Sequence, residues 1–115
     1  REALRQSCQQ GRARLEGGDM LRRYLSRAHR DQPEDGCPLA SMLSELGQMH
    51  ESTMPIVEEE IEHYLAQMGG SRQKSMALLA LMIGGLAVSR ALRGSDLSDE
   101  FLLAARQMGK EIASL

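Results

Sequence analysis

From Ser75 to Ser89 the chain reads SMALLALMIGGLAVS, fifteen uncharged residues fenced by Lys74 and Arg90. Leu78, Leu81, Gly85, Val88 and Leu92 recur along it at alternating steps of three and four. A second row, Ala77, Ala80, Gly84, Ala87 and Ala91, runs beside the first with the same spacing. A helix places the two rows on adjoining faces, one bulky and one small. Small side chains allow another backbone to come close, so this segment is expected to be a buried spine with neighbours on more than one side. The pattern leaves open whether those neighbours belong to the same chain or to a second copy, and which row meets which.

The rest of the chain is built to match a helix. Over the whole chain Leu, Ala and eight Met dominate the apolar residues, Tyr24, Tyr64 and Phe101 are the only aromatics, and Trp is missing. Unbranched side chains lose little rotamer freedom in a helix, so an all-α bundle is expected. At 115 residues the chain fits one domain and can bury a core.

Charge is distributed unevenly along this domain. Residues 1–30 hold eight Arg against three acids, and residues 31–68 hold nine acids without a Lys or Arg. Solvated helix faces of opposite sign account for this pattern. An Arg-rich surface facing nucleic acid is the other reading, although no base-reading motif accompanies it.

Two cysteines, Cys8 and Cys37, in a chain large enough not to need staples point to a reducing compartment. The uncharged run is shorter than the ~20 residues of a membrane span, and no secretory leader is visible. A cytoplasmic protein without membrane attachment is therefore expected. Because Arg1 already lies in a helical pattern, the chain also reads as part of something longer.

Taken in order, residues 1–16 look like a frayed or broken helix, the end of a connecting element, with Leu4, Cys8 and Leu15 apolar and Gly11 between them. Residues 17–115 form the domain proper. Gly17-Gly18 breaks the chain and Asp19 can cap a short amphipathic helix over 20–30, with Met20, Leu21, Tyr24, Leu25 and Ala28 inward. DQPEDG, 31–36, is a turn, and Pro38 suits the first position of a helix whose inner face is Leu39, Met42, Leu43 and Leu46. Ser52, Thr53 and Pro55 mark the start of the next helix. Its inner face is Met54, Val57, Ile61, Tyr64, Leu65 and Met68, with Glu58, Glu59, Glu60 and Glu62 mostly outward. Gly69-Gly70 ends it.

The spine then runs from Ser71 or Arg72 to a stop at Gly94. Ser98 is expected to cap the last helix, with Leu97 and Leu102 as its hydrophobic staple. Phe101, Ala105, Met108, Ile112 and Leu115 continue the stripe. The short RGSDL turn makes the last two helices an antiparallel pair.

Chemistry-bearing residues are sparse. Glu59, Glu60 and His63 have the spacing of a bundle metal ligand set, but matching ligands on facing helices are not evident. His50-Glu51 lacks the second His of HExxH. No phosphate loop or nucleophile constellation is present, so neither catalysis nor a cofactor is expected. Met42, Met49, Met54, Met68 and Met82 fall on inward faces. They either pack a core or line an adaptable apolar pocket, with Tyr24, His50 and Tyr64 as polar handles.

YLSRAHRDQPEDGCPLASMLSEL, residues 24–46, resembles a signature of TetR-family transcriptional regulators, and ALLALMIGGLAVSRALRGSDLSDEFLLAARQM, residues 77–108, resembles that family's final helix pair. The likeness spans about residues 20–115 and implies an effector-sensing domain of a repressor that dimerises through a four-helix interface, two helices from each subunit. Leu78, Leu81, Val88, Leu92, Phe101, Ala105, Met108 and Ile112 would then be shared between core and dimer interface. Tyr24, Met42, Met49, His50, Met54, Tyr64 and Met82 would be candidates to line a pocket for a small, unidentified effector. Operator DNA would be bound through an upstream helix-turn-helix domain that this chain lacks. A ligand-free helical interaction bundle and a metal-binding bundle are the alternatives.

Overall fold

The computed structural model describes residues 2–15, 20–32, 39 and 51–115, and every regular element among them is helical. The elements are α1 (Glu2–Leu15), α2 (Met20–Tyr24), α3 (Arg27–Asp31), a 3₁₀ turn (Glu51–Thr53), α4 (Met54–Met68), α5 (Arg72–Ala91) and α6 (Asp96–Ala113). The all-α expectation holds. The turn at 33–36, Cys37, the helix start at Pro38, and Met42, Leu43, Leu46, Met49 and His50 lie outside the described residues. Leu39 is described and is fully buried in the core.

Helices α5 and α6 pack against each other along their lengths; among the described helices α2, α3 and α4 contact this hairpin, and α1 packs on α2 and α4. Ser71 caps α5 by accepting a hydrogen bond from the Lys74 amide at 3.2 Å. Gly69 and Gly70, both at positive φ, make the bend from α4. At 20 residues α5 outruns the uncharged stretch, and by length and composition alone it could cross a membrane. In the fold it is the spine. One side of it buries Ser75, Leu78, Leu79, Met82, Gly85, Leu86 and Ser89. These meet Leu21, Tyr24, Leu25, Leu39, Tyr64, Leu65, Leu102 and Ala105 in a single core.

Several local expectations are corrected by tertiary packing. Helix α1 is continuous through Gly11 rather than broken. The 20–30 segment is two short helices rather than one. Ser26 ends the first by donating to the Arg23 carbonyl at 2.8 Å and caps the second by accepting from the His29 amide at 3.1 Å, a local competition typical of serine. The core stripe of α4 is Ile56, Glu60 and Tyr64. That register turns Met54, two residues or about 200° from Ile56, outward, where it is 59% exposed. The same rotation buries Glu60 against α1.

Helix α6 begins at Asp96 with Ser95 at the cap position, so Ser98 is not its cap. Leu97 stands exposed inside the first turn instead of forming the staple.

Candidate functional site

Two features of the hairpin distinguish it from an ordinary helix pair: an apolar outer face and a polar clasp at its neck. The outer face begins with the small row. Ala77, Ala80, Gly84 and Ala91 are exposed and Ala87 is half-buried. The bulky row turns the other way, with Leu78 and Gly85 buried, Leu81 and Leu92 half-buried, and only Val88 exposed. Gly85 sits so close to α6 that a Cβ there would lie 2.9 Å from the Ala105 Cβ and 3.3 Å from Leu25. A Cβ on Gly84 would meet nothing within 4 Å.

The hairpin also exposes Met76 and Val88 from α5 and Leu97, Phe101, Leu103 and Met108 from α6. On a helical projection Leu97, Phe101 and Met108 fall on one side, next to the buried Leu102, Ala105 and Gly109, and Leu103 falls on another. Large apolar side chains left in water in such a group differ from the single ones found on any surface. The residues expected to be shared between core and interface therefore separate. Leu78 and Ala105 lie in the subunit core, Leu81, Leu92 and Ile112 at its edge, and Val88, Phe101 and Met108 outside.

Of the residues expected to line a pocket, Tyr24, Tyr64 and Met82 come together in the interior, each no more than 1% exposed. The two tyrosine rings meet edge to face at 6.2 Å. Met54 points to solvent instead, and Met42, Met49 and His50 lie outside the described residues. Elsewhere, Arg5, Cys8, Gln9, Ile56, Glu59, Glu60 and His63 line a recess with room for roughly one water molecule. Arg5 Nε donates to Glu59 at 3.3 Å, and His63 stands 4.0 Å from the same carboxylate. Among the described residues no three His, Cys, Asp or Glu side chains converge as a metal site.

The clasp joins α3 to both helices of the hairpin where they turn. Arg30 donates to the Ser98 hydroxyl at 3.0 Å and to the Asp99 carboxylate at 2.6 Å, while its Nε reaches Asp31 at 2.8 Å. Its side chain is only 10% exposed, and the two carboxylates hold the guanidinium charged. Ser98 in turn donates to the Ser89 carbonyl at 2.6 Å, tying α6 to α5. From α5, Arg90 donates to the carbonyls of His29 at 2.6 Å and Arg30 at 3.2 Å. Those carbonyls belong to the last turn of α3, which has no intrahelical donors to offer them.

His29 donates its Nδ1 proton to the Tyr24 carbonyl at 2.8 Å, the tautomer that a carbonyl partner requires, and its ring lies edge-on to Tyr24 at 4.8 Å. Burial pushes its pKa down, and the nearby Arg90 charge acts in the same direction. None of Arg30, Ser89, Arg90 and Ser98 was marked as functional by the sequence. Arg90 marked the end of the uncharged run and lay in the family-like 77–108 segment, and Arg30, expected on the outer face of the 20–30 helix, is buried instead. Compared with known proteins, the chain matches no family model and no curated sequence.

Proposed function

We propose that this chain is the self-pairing, effector-sensing domain of a TetR-like transcriptional repressor. The α5–α6 hairpin joins its copy through the small-residue face, and Tyr24, Tyr64 and Met82 belong to a site for a small apolar molecule that alters operator binding elsewhere in the regulator. The observation that carries this reading is the outer hairpin face, which is apolar and exposed among the described residues. A second copy suits it because one uncharged surface can serve both sides of a two-fold axis without burying a charge on α5. Ala80 and Gly84 would let the two spines cross closely. The effector part rests on the resemblance in residues 24–46 and on the interior tyrosine pair. No catalytic chemistry is required.

Sedimentation at micromolar concentration should give a dimer. Ala80→Glu, exposed in the single chain, should weaken pairing by at least about tenfold, because it places a carboxylate in an apolar contact, and should leave the helix content unchanged. A native chain that sediments as a monomer overturns the pairing, and a dimer indifferent to Ala80→Glu places the interface elsewhere.

A further inference from the structure

Helix α3 is attached to the rest of the protein in an unusual way. It has five residues, too few to be stable alone. Arg27, Ala28 and Asp31 are exposed, and only His29 and Arg30 are buried, so α3 gives the core no aliphatic side chain. Among the described residues, what ties it to the hairpin is the polar clasp: Arg30 to Ser98 and Asp99, Arg27 to Asp99 at 3.3 Å, and Arg90 to the α3 carbonyls. Hydrogen bonds of this kind are directional and are lost together once the angle fails, whereas packed aliphatic side chains can slide. On its inner side, the His29 ring lies against Tyr24, whose own ring leads to Tyr64. The break at Leu25-Ser26 gives the segment a pivot between α2 and α3.

We propose that α3 is a hinged cover over the Tyr24–Tyr64 interior, fastened by the arginine clasp to the hairpin neck and able to detach while the hairpin stays folded. It supplies the route by which a small apolar molecule reaches that interior, and to this extent rests on the effector reading above. Detachment turns His29 off the Tyr24 ring and frees the α3 carbonyls from Arg90. No other described helix has to move.

The chain carries its own probe. Tyr24 and Tyr64 are its only tyrosines and there is no Trp, so intrinsic tyrosine fluorescence reports on these two rings alone. Acrylamide should quench it weakly in the native protein. Asp99→Asn, at a half-exposed position, should raise the quenching slope at least about twofold by weakening the clasp. Hydrogen exchange at the Arg30 and Gln32 amides, which donate to Ser26 and Ala28, should quicken at least about tenfold, while amides from Leu79 to Leu86 keep their rates. Glu62→Gln, which removes the distant Arg72 pair, should change neither readout.

Faster α3 exchange without greater quenching overturns the cover. So does α3 exchange that rises only in step with the hairpin. Should Asp99→Asn fail to fold, Arg27→Gln removes only the outer pair and must shift both readouts in the same direction by a smaller amount. Neither readout depends on dimerisation, so a monomeric chain that still shows the quenching response counts against the pairing alone.

Discussion

Gly84 and Gly85 are neighbours in sequence and opposites in surroundings. Gly85 faces Ala105 and Leu25 across a gap that admits no Cβ, while Gly84 faces open space. The same contrast runs the length of α5: Leu86 is fully buried, and Val88 two residues on is exposed. The inner side is complementary to one specific neighbour. The outer side is smooth, uncharged and without a neighbour among the described residues, and that asymmetry is what a surface reserved for a second copy would show.

Substitutions on the two sides should therefore behave differently. Leu86→Ala should have the largest effect, a loss of about 2–5 kcal/mol in chemical denaturation from the cavity it leaves. Val88→Ala, by contrast, should stay within about 0.5 kcal/mol in the single chain and instead weaken pairing measured by sedimentation.

Gly85→Ala should lose about 1–2 kcal/mol, the overpacking against Ala105 outweighing the better helix propensity of alanine. Gly84→Ala meets no neighbour, so the single subunit should gain about 0.5–1 kcal/mol from propensity alone. If the spines cross at Gly84, the same methyl should also raise the dimer dissociation constant by a few-fold, roughly 0.5–1 kcal/mol. A pair of glycine variants with matched effects would erase the distinction between the faces.

The smallest effect expected is a pH dependence from the neck. Burial, helped by the charge of Arg90, lowers the His29 pKa in the folded chain, against the raising effect of its bond to the Tyr24 carbonyl. The unfolded chain takes up this proton near pH ~6.5 and the folded chain at lower pH. Between those values the unfolded state binds more protons, so this contribution is fully present above about pH 6.5 and is lost as pH falls below it. Denaturation midpoints measured on either side of that value should show the loss, and His29→Gln should flatten it. The Asp31 carboxyl, held below the usual carboxylate range by its hydrogen bond to Arg30, acts only at lower pH.

Periodicity made the helices legible where a stripe was long. The spine and its antiparallel partner, the Gly69-Gly70 bend and the inward Leu39, Tyr24, Tyr64 and Met82 all followed from spacing and breakers. The failures share a cause. Local propensity makes Ser98 a cap and Glu60 a solvated acid, and in each case a partner distant in sequence prevailed. Ser98 looks like a cap until Ser89 and Arg30 offer its hydroxyl better-placed partners. Glu60 looks like one more solvated acid until α1 packs over it, and Met54 looks inward until the α4 register is set by Ile56 and Tyr64.

Taken by itself, the sequence determined that this chain is helical, that Ser75–Ser89 is its spine, and that the spine has one bulky and one small face, because hydrophobic period and side-chain size are local properties. The direction in which each face points was a tertiary decision. It depended on Ala105 and Leu25 closing over Gly85, contacts between residues far apart in the chain that no local pattern encodes. The clasp arose in the same way: Arg30 and Asp99 are unremarkable surface charges until folding brings them within 2.6 Å of each other.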